Sequence, residues 1–96
     1  MVHPSFHDYT IIFSKTSEKF LDTLDKKTKQ RILEKVRELQ INAENLDIKK
    51  LKSRHTLYRL RVGNFRIIYS IKHERLVIYI VAIGHRKDIY QQTSFA

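Results

Sequence analysis

Gly63 and Asn64 separate two short runs, Leu57 to Val62 and Phe65 to Ile71, in which apolar and basic residues alternate. A two-residue loop with glycine at a positive-φ position closes a tight antiparallel hairpin and leaves no freedom of register. Val62 then faces Phe65, Arg61 faces Arg66, Leu60 faces Ile67, and Tyr58 faces Tyr69. Side chains alternate across a sheet. One face therefore collects Tyr58, Leu60, Val62, Phe65, Ile67 and Tyr69 as the core side, and the other collects Arg59, Arg61 and Arg66.

Like charges directly opposite each other on a sheet are destabilising, by about 0.2 to 1 kcal/mol once splaying and solvent are allowed for. No Asp or Glu lies on the hairpin to soften that repulsion. A phosphate held between the arginines would convert it into a bidentate clamp, a geometry that suits guanidinium groups. Arginine can neutralise a developing phosphorane and orient the scissile group, but with a pKa above about 12 it is a poor base at neutral pH. Proton transfer needs another side chain. The run Gly84-His85-Arg86-Lys87-Asp88-Ile89-Tyr90 offers His85, with an ordinary pKa near about 6.5, and Tyr90, whose phenol surrounding cations would depress.

The charge distribution points the same way. The formal charge is +9, and residues 1–48 contribute none of it, holding eight Lys/Arg against eight Asp/Glu. Residues 49–96 hold eleven Lys/Arg against Glu74 and Asp88 alone. A merely solubilising surface mixes both signs, as the first half does, whereas a one-sided basic field is the footprint of a polyanion such as RNA.

At 96 residues the chain is expected to form a single domain, 1–96. It has no cysteine, which removes disulfides and thiolate metal sites and fits a reducing compartment. The longest apolar run, Leu76 to Ile83, is strand-sized, so no signal peptide or membrane span is expected and the protein should be soluble and cytoplasmic.

Tyr9 to Phe13 is β-branched and aromatic and reads as a strand. Ser14 is placed to cap a short helix carrying Phe20, Leu21 and Leu24 on one face. Asp25 is placed to cap a second helix, in which Ile32, Leu33, Val36 and Leu39 form one apolar stripe. Asn42 to Thr56 reads as a polar connection, and three strands follow: Leu57 to Val62, Phe65 to Ile71, and Leu76 to Ile83, the last pair joined around Lys72 to Arg75. The expected fold is α+β, strand-helix-helix-three-strand, with both helices on one face of an antiparallel sheet.

Other chemistries find little support. His3 and His7 are four apart, but Pro4 between them argues against the helix that metal ligation at that spacing needs. His55 and His73 fall in loops without carboxylates at ligand spacing. There is no Gly-rich phosphate loop, serine-nucleophile motif or carboxylate cluster for magnesium, so a nuclease built on this chain is expected to work without metal or other cofactor.

The run Leu57-Tyr58-Arg59-Leu60-Arg61-Val62-Gly63-Asn64-Phe65-Arg66-Ile67-Ile68-Tyr69, followed by Ile83-Gly84-His85-Arg86-Lys87-Asp88-Ile89-Tyr90, closely resembles the RelE branch of the RelE/ParE toxin superfamily. The likeness extends more loosely to Lys50-Leu51-Lys52 and to the whole element order. It implies a cytoplasmic toxin of a type II toxin–antitoxin system that enters the 30S decoding site of the ribosome and cuts mRNA without metal. By motif position, Arg66 matches the phosphate-stabilising arginine and Arg86 the arginine near the leaving group. Arg59 and Arg61 match basic residues that orient the scissile nucleotide, and Tyr90 matches a tyrosine implicated in base stacking or 2′-hydroxyl activation. His85 occupies a position that varies among relatives. Lys49, Lys50, Lys52 and Arg54 would contact RNA backbone. Where family members often carry a glycine before the hairpin, this chain has Ser53, Arg54, His55 and Thr56. The resemblance also implies a RelB-like antitoxin partner, and through its ParE branch it offers an alternative, a non-enzymatic toxin that inhibits DNA gyrase.

Overall fold

The structure, a computed structural model, describes residues 6–41, 43–51 and 56–89. Strand β1 (Thr10–Phe13) leads into helices α1 (Lys15–Asp22) and α2 (Lys26–Ile41), followed by β2 (Asp47–Leu51), β3 (Leu57–Val62), β4 (Phe65–Lys72) and β5 (Val77–His85). The five strands form one sheet in the order β1-β5-β4-β3-β2, with β1 parallel to β5 and the other neighbours antiparallel.

Both helix starts are set by the side chains that the spacing picked out. The Ser14 hydroxyl accepts from the backbone N–H of Ser17 at 3.1 Å, satisfying one of the orphan donors of the first turn. Asp25 does the same for α2, accepting from the Thr28 backbone at 3.0 Å and from the Thr28 hydroxyl. Those bonds, the hydroxyl's first, hold the Asp25 carboxyl below its ordinary value.

Ile32, Val36 and Leu39 of α2 and Leu21 of α1 bury their stripe against Leu60, Val62, Ile67, Tyr69, Ile78, Ile80 and Ile83 of the sheet. Both helices thus lie on one face, and Ile32, with no exposed surface, sits at the centre of the contact. Deleting a fully buried isoleucine side chain from such a layer costs about 2 to 5 kcal/mol.

The hairpin register is the expected one: Val62 pairs with Phe65, Arg61 with Arg66, Leu60 with Ile67, and Tyr58 with Tyr69. The stretch read as a polar connection departs from expectation, because Asp47–Leu51 adds a strand to the edge of the sheet against β3. Ile48 pairs with Leu60 and packs on the core, while Asp47 and Lys49 fall on the other face. An edge strand needs only one apolar face, and charges along it discourage pairing with other chains.

A second departure lies on β5. Ile68 pairs with Ala82 but Tyr69 pairs with Ile80, so Val81 is an extra, bulged residue. The bulge lets Ile80 and Ile83 both face the helices. Ser14, the cap of α1, and Ser17 within it hold the bulge from that side: the Ser14 hydroxyl donates to the Val81 carbonyl at 2.8 Å, and the Ser17 hydroxyl donates to the Ile80 carbonyl at 3.3 Å. No helix among the described residues is long and apolar enough to cross a membrane.

Candidate nucleic-acid interface

The face of the sheet away from the helices carries Arg59 and Arg61 on β3 and Arg66 on β4, as the alternation requires. It is not a purely polar surface. Leu57, Ile68 and Ala82 form a second apolar cluster there, and Ile89 closes it with no exposed surface of its own, so the segment after β5 folds back over this face. Alternation along the hairpin points to arginines on this face and not to this apolar cluster: the arginines rim a small satellite core.

Each guanidinium is held differently. Arg66 is only 7% exposed, and its Nη1 donates to the carbonyl oxygens of Gly63 at 2.9 Å and Phe65 at 3.0 Å. The tip of the hairpin therefore supplies acceptors for a cation that its own strand buries. Gly63 has φ +58°, a backbone region that favours glycine, and a Cβ there would stand 3.3 Å from Nη2 of Arg31. Arg31 of α2 thus reaches the same turn from the helix side.

Arg59 and Arg61 turn instead toward β2. The Asp47 carboxylate bridges them, with Oδ1 3.2 Å from Arg59 Nη2 and Oδ2 3.8 Å from Arg61 Nη1. The hairpin itself carries no acid, but the neighbouring strand supplies one, which corrects the expectation that nothing softens the repulsion. Lys49 pairs with Arg59 and shares its face. Asp47 partly compensates this basic group. Arg59 keeps its Nε buried without a hydrogen-bond partner.

The remaining sequence candidates divide. The Arg86 backbone N–H donates to the Asn64 carbonyl at 2.9 Å, which anchors the segment after β5 beside the hairpin tip. There Asn64, His85, Arg86, Lys87 and Asp88 line an open cleft of about 580 Å³. His85 pairs with Phe65, so its ring lies on the helix side, 5.0 Å from the ring of Phe65 and 5.7 Å from that of Phe20. It does not share the face of Arg59, Arg61 and Arg66. Lys50 pairs with Tyr58 and likewise falls on the helix side. Tyr90, Lys52 and Arg54 lie outside the described residues, as do His3 and His55.

Tyr69 is stacked on Tyr58 with ring centroids 5.4 Å apart, and burial first, then the neighbouring Tyr58, pushes its phenol far above the ordinary range. It stays protonated and takes no part in acid–base chemistry at neutral pH.

Sequence reasoning missed Asp47 and Arg31. Asp47 enters only through the pairing of β2 with β3. Arg31 follows the apolar stripe of α2 by no periodic rule and is placed by the packing of that helix against the hairpin tip.

Comparison with known proteins agrees with this architecture. Residues 11–90 match the family model described as the ParE toxin of the type II toxin–antitoxin system parDE. The toxin RelE3 of Methanocaldococcus jannaschii is 37% identical over 84 residues, covering 83% of this chain and 93% of the relative. Among solved structures, the archaeal RelE–RelB complex from Pyrococcus horikoshii superposes with a TM-score of 0.70 at 32% identity, covering 81% of this chain and 94% of that one. The RelB–RelE complex from Methanococcus jannaschii gives 0.68 at 35% identity, covering 85% and 98%. With the family model, the sequence identity and the α+β fold in agreement, this chain belongs to the RelE/ParE family of type II toxin–antitoxin toxins, and within it to the RelE type.

Proposed function

We propose that the chain is a metal-independent endoribonuclease that cuts mRNA in the ribosomal decoding site and so stops translation in the cytoplasm. The observation that carries this reading is the pairing of Arg61 with Arg66 on one face, with Arg86 anchored beside the same hairpin tip. In the proposed reaction the ribose 2′-oxygen attacks the adjacent phosphorus and the bond from phosphorus to the 5′-oxygen breaks. The products are a 2′,3′-cyclic phosphate and a 5′-hydroxyl. Arg66 and Arg61 neutralise the charge that builds on the non-bridging oxygens, and Arg86 stabilises the departing 5′-oxygen. Arg59 orients the scissile nucleotide. Tyr90 is the proposed proton carrier or base-stacking group, and His85 a second proposed proton carrier, acting from the cleft that it lines with Arg86. Lys49, Lys50, Lys52 and Arg54 add contacts to RNA backbone, which makes binding salt-dependent.

The same reading includes a cognate RelB-like antitoxin, supported by RelE–RelB complexes among the solved relatives. An acidic or amphipathic segment that orders on the basic face would neutralise it.

The test is expression of the parent and of Arg66→Ala with Arg86→Ala. The parent is expected to arrest growth with loss of protein synthesis, and the folded double variant to let cells grow. A double variant as toxic as the parent overturns the mechanism. A second reading, inhibition of DNA gyrase, is favoured by the ParE description of the matched family model. It requires DNA-damage signalling while translation continues.

A further inference from the structure

We propose that Asp47 is a positioning residue that reserves the phosphate seat of the arginine face, bridging Arg59 and Arg61 in the free protein and yielding its place when an RNA phosphate arrives. This rests on the RNA-cleaving reading and names a control on the same site.

The geometry motivates it. Each Asp47 oxygen addresses a different guanidinium, at 3.2 Å and 3.8 Å, as the two non-bridging oxygens of a phosphodiester would. The pairing of Asp47 with Arg61 across β2 and β3 puts the carboxylate there by register, not by chance rotation of a loop. The side chains of Asp47 and Arg61 are 54% and 53% exposed, and an ion pair so open to water holds weakly enough to be exchanged. Arg59 is 19% exposed and cannot swing far, so it waits in place while the acid leaves. Asp47 thus holds both guanidinium groups oriented toward one shared anion position, and weakens binding of any polyanion that cannot displace it.

Asp47→Asn removes the competing charge and keeps the shape. With labelled single-stranded RNA made uncleavable by 2′-deoxy substitution, fluorescence anisotropy is expected to show about fivefold tighter binding, the effect of one unit charge a few ångströms from a phosphate in water. The dependence of log affinity on log salt is expected to steepen by about 0.7, one further phosphate neutralised on a single strand. Asp47→Ser should behave like Asp47→Asn, which separates charge from a folding change, and Asp47→Glu should bind like the parent. Asp22→Asn, which removes an equal charge from a pair with Lys29 on the helices, should change nothing. Unchanged or weaker binding by both Asp47→Asn and Asp47→Ser overturns the proposal. RNA binding indifferent to Arg61→Ala, or no RNA binding by the parent, likewise overturns the proposal, whereas the RNA-cleaving reading itself falls only if mRNA on translating ribosomes stays intact.

Discussion

Arg61 and Arg66 stand opposite each other across the hairpin, yet their guanidinium groups are held by different partners: Arg66 by the carbonyls of Gly63 and Phe65, Arg61 by the carboxylate of Asp47. The repulsion between facing cations is relieved by separate acceptors, and the two residues acquire different physical roles. Arg66 is tied into the fold as well as into the proposed site, and Arg61 into the proposed site alone.

Arg66→Ala leaves the Gly63 and Phe65 carbonyls without that donor and removes packing from a buried position, so it is expected to cost about 1 to 3 kcal/mol in urea denaturation. Arg61→Ala, at a half-exposed position, is expected to fall within about 0.5 kcal/mol of the parent. Both should abolish cleavage. Equal stability losses for the two would contradict the assignment.

Gly63 and Leu76 make an opposed pair. Gly63 has φ +58° and Leu76 has φ 54°, a conformation that costs a non-glycine residue about 1 to 2 kcal/mol. Gly63→Ala is expected to destabilise by at least that much, since the new methyl also meets the Arg31 guanidinium. Leu76 is 46% exposed, so Leu76→Gly relieves strain with little lost burial and should leave the thermal midpoint unchanged or raise it. Thermal denaturation of both variants checks the signs.

The lowered Asp25 carboxyl gives a pH dependence with a definite sign. Its ionised form is preferred in the folded state, so the cap stabilises α2 above the ordinary carboxylate value of 3.8 and the benefit is lost as pH falls through the lower folded value. Urea midpoints of the parent and Asp25→Ala are expected to differ at neutral pH and to converge below that value. A constant gap at all pH values would mean that the carboxylate does not cap the helix.

Ile89 fastens the segment that carries Arg86. Ile89→Ala, at a site with no exposed surface, is expected to cost about 2 to 5 kcal/mol if the satellite cluster unfolds with the rest of the domain. If the segment opens on its own, faster amide exchange is expected at Arg86 and Asp88, with slow exchange retained on β4. In either case cleavage should fall while Arg59 and Arg61 remain in place.

Much of this arrangement was legible in the residues. The hairpin register followed from a two-residue loop, and the capping of both helices followed from Ser14 and Asp25 preceding periodic apolar runs. Strand β2 was hidden because Lys49 and Lys50 are adjacent and charge falls on both of its faces, while its two apolar residues, Ile48 against Leu60 and Leu51 against Leu57, fall on opposite faces. The Val81 bulge was hidden because its cause is non-local, lying in pairing with β4 and in Ser14 and Ser17 at the start of the first helix. For the site, alternation placed Arg59, Arg61 and Arg66 on one face. It could not reveal that Asp47 bridges two of them, that His85 lies on the other side, or that the chain after β5 seals the face with Ile89. Those facts depend on contacts between elements, and periodicity reports only on single ones.

The central claim is that this arginine face cleaves RNA by attack of a 2′-hydroxyl. Mapping and chemically typing mRNA 5′ ends on translating ribosomes, after induction of the parent and of Arg61→Ala, tests it most directly. New 5′-hydroxyl ends within codons at the decoding site, present for the parent and absent for the variant, are the predicted result. Intact mRNA in cells arrested by the parent, or 5′ ends that persist when Arg61 is gone, would contradict the account.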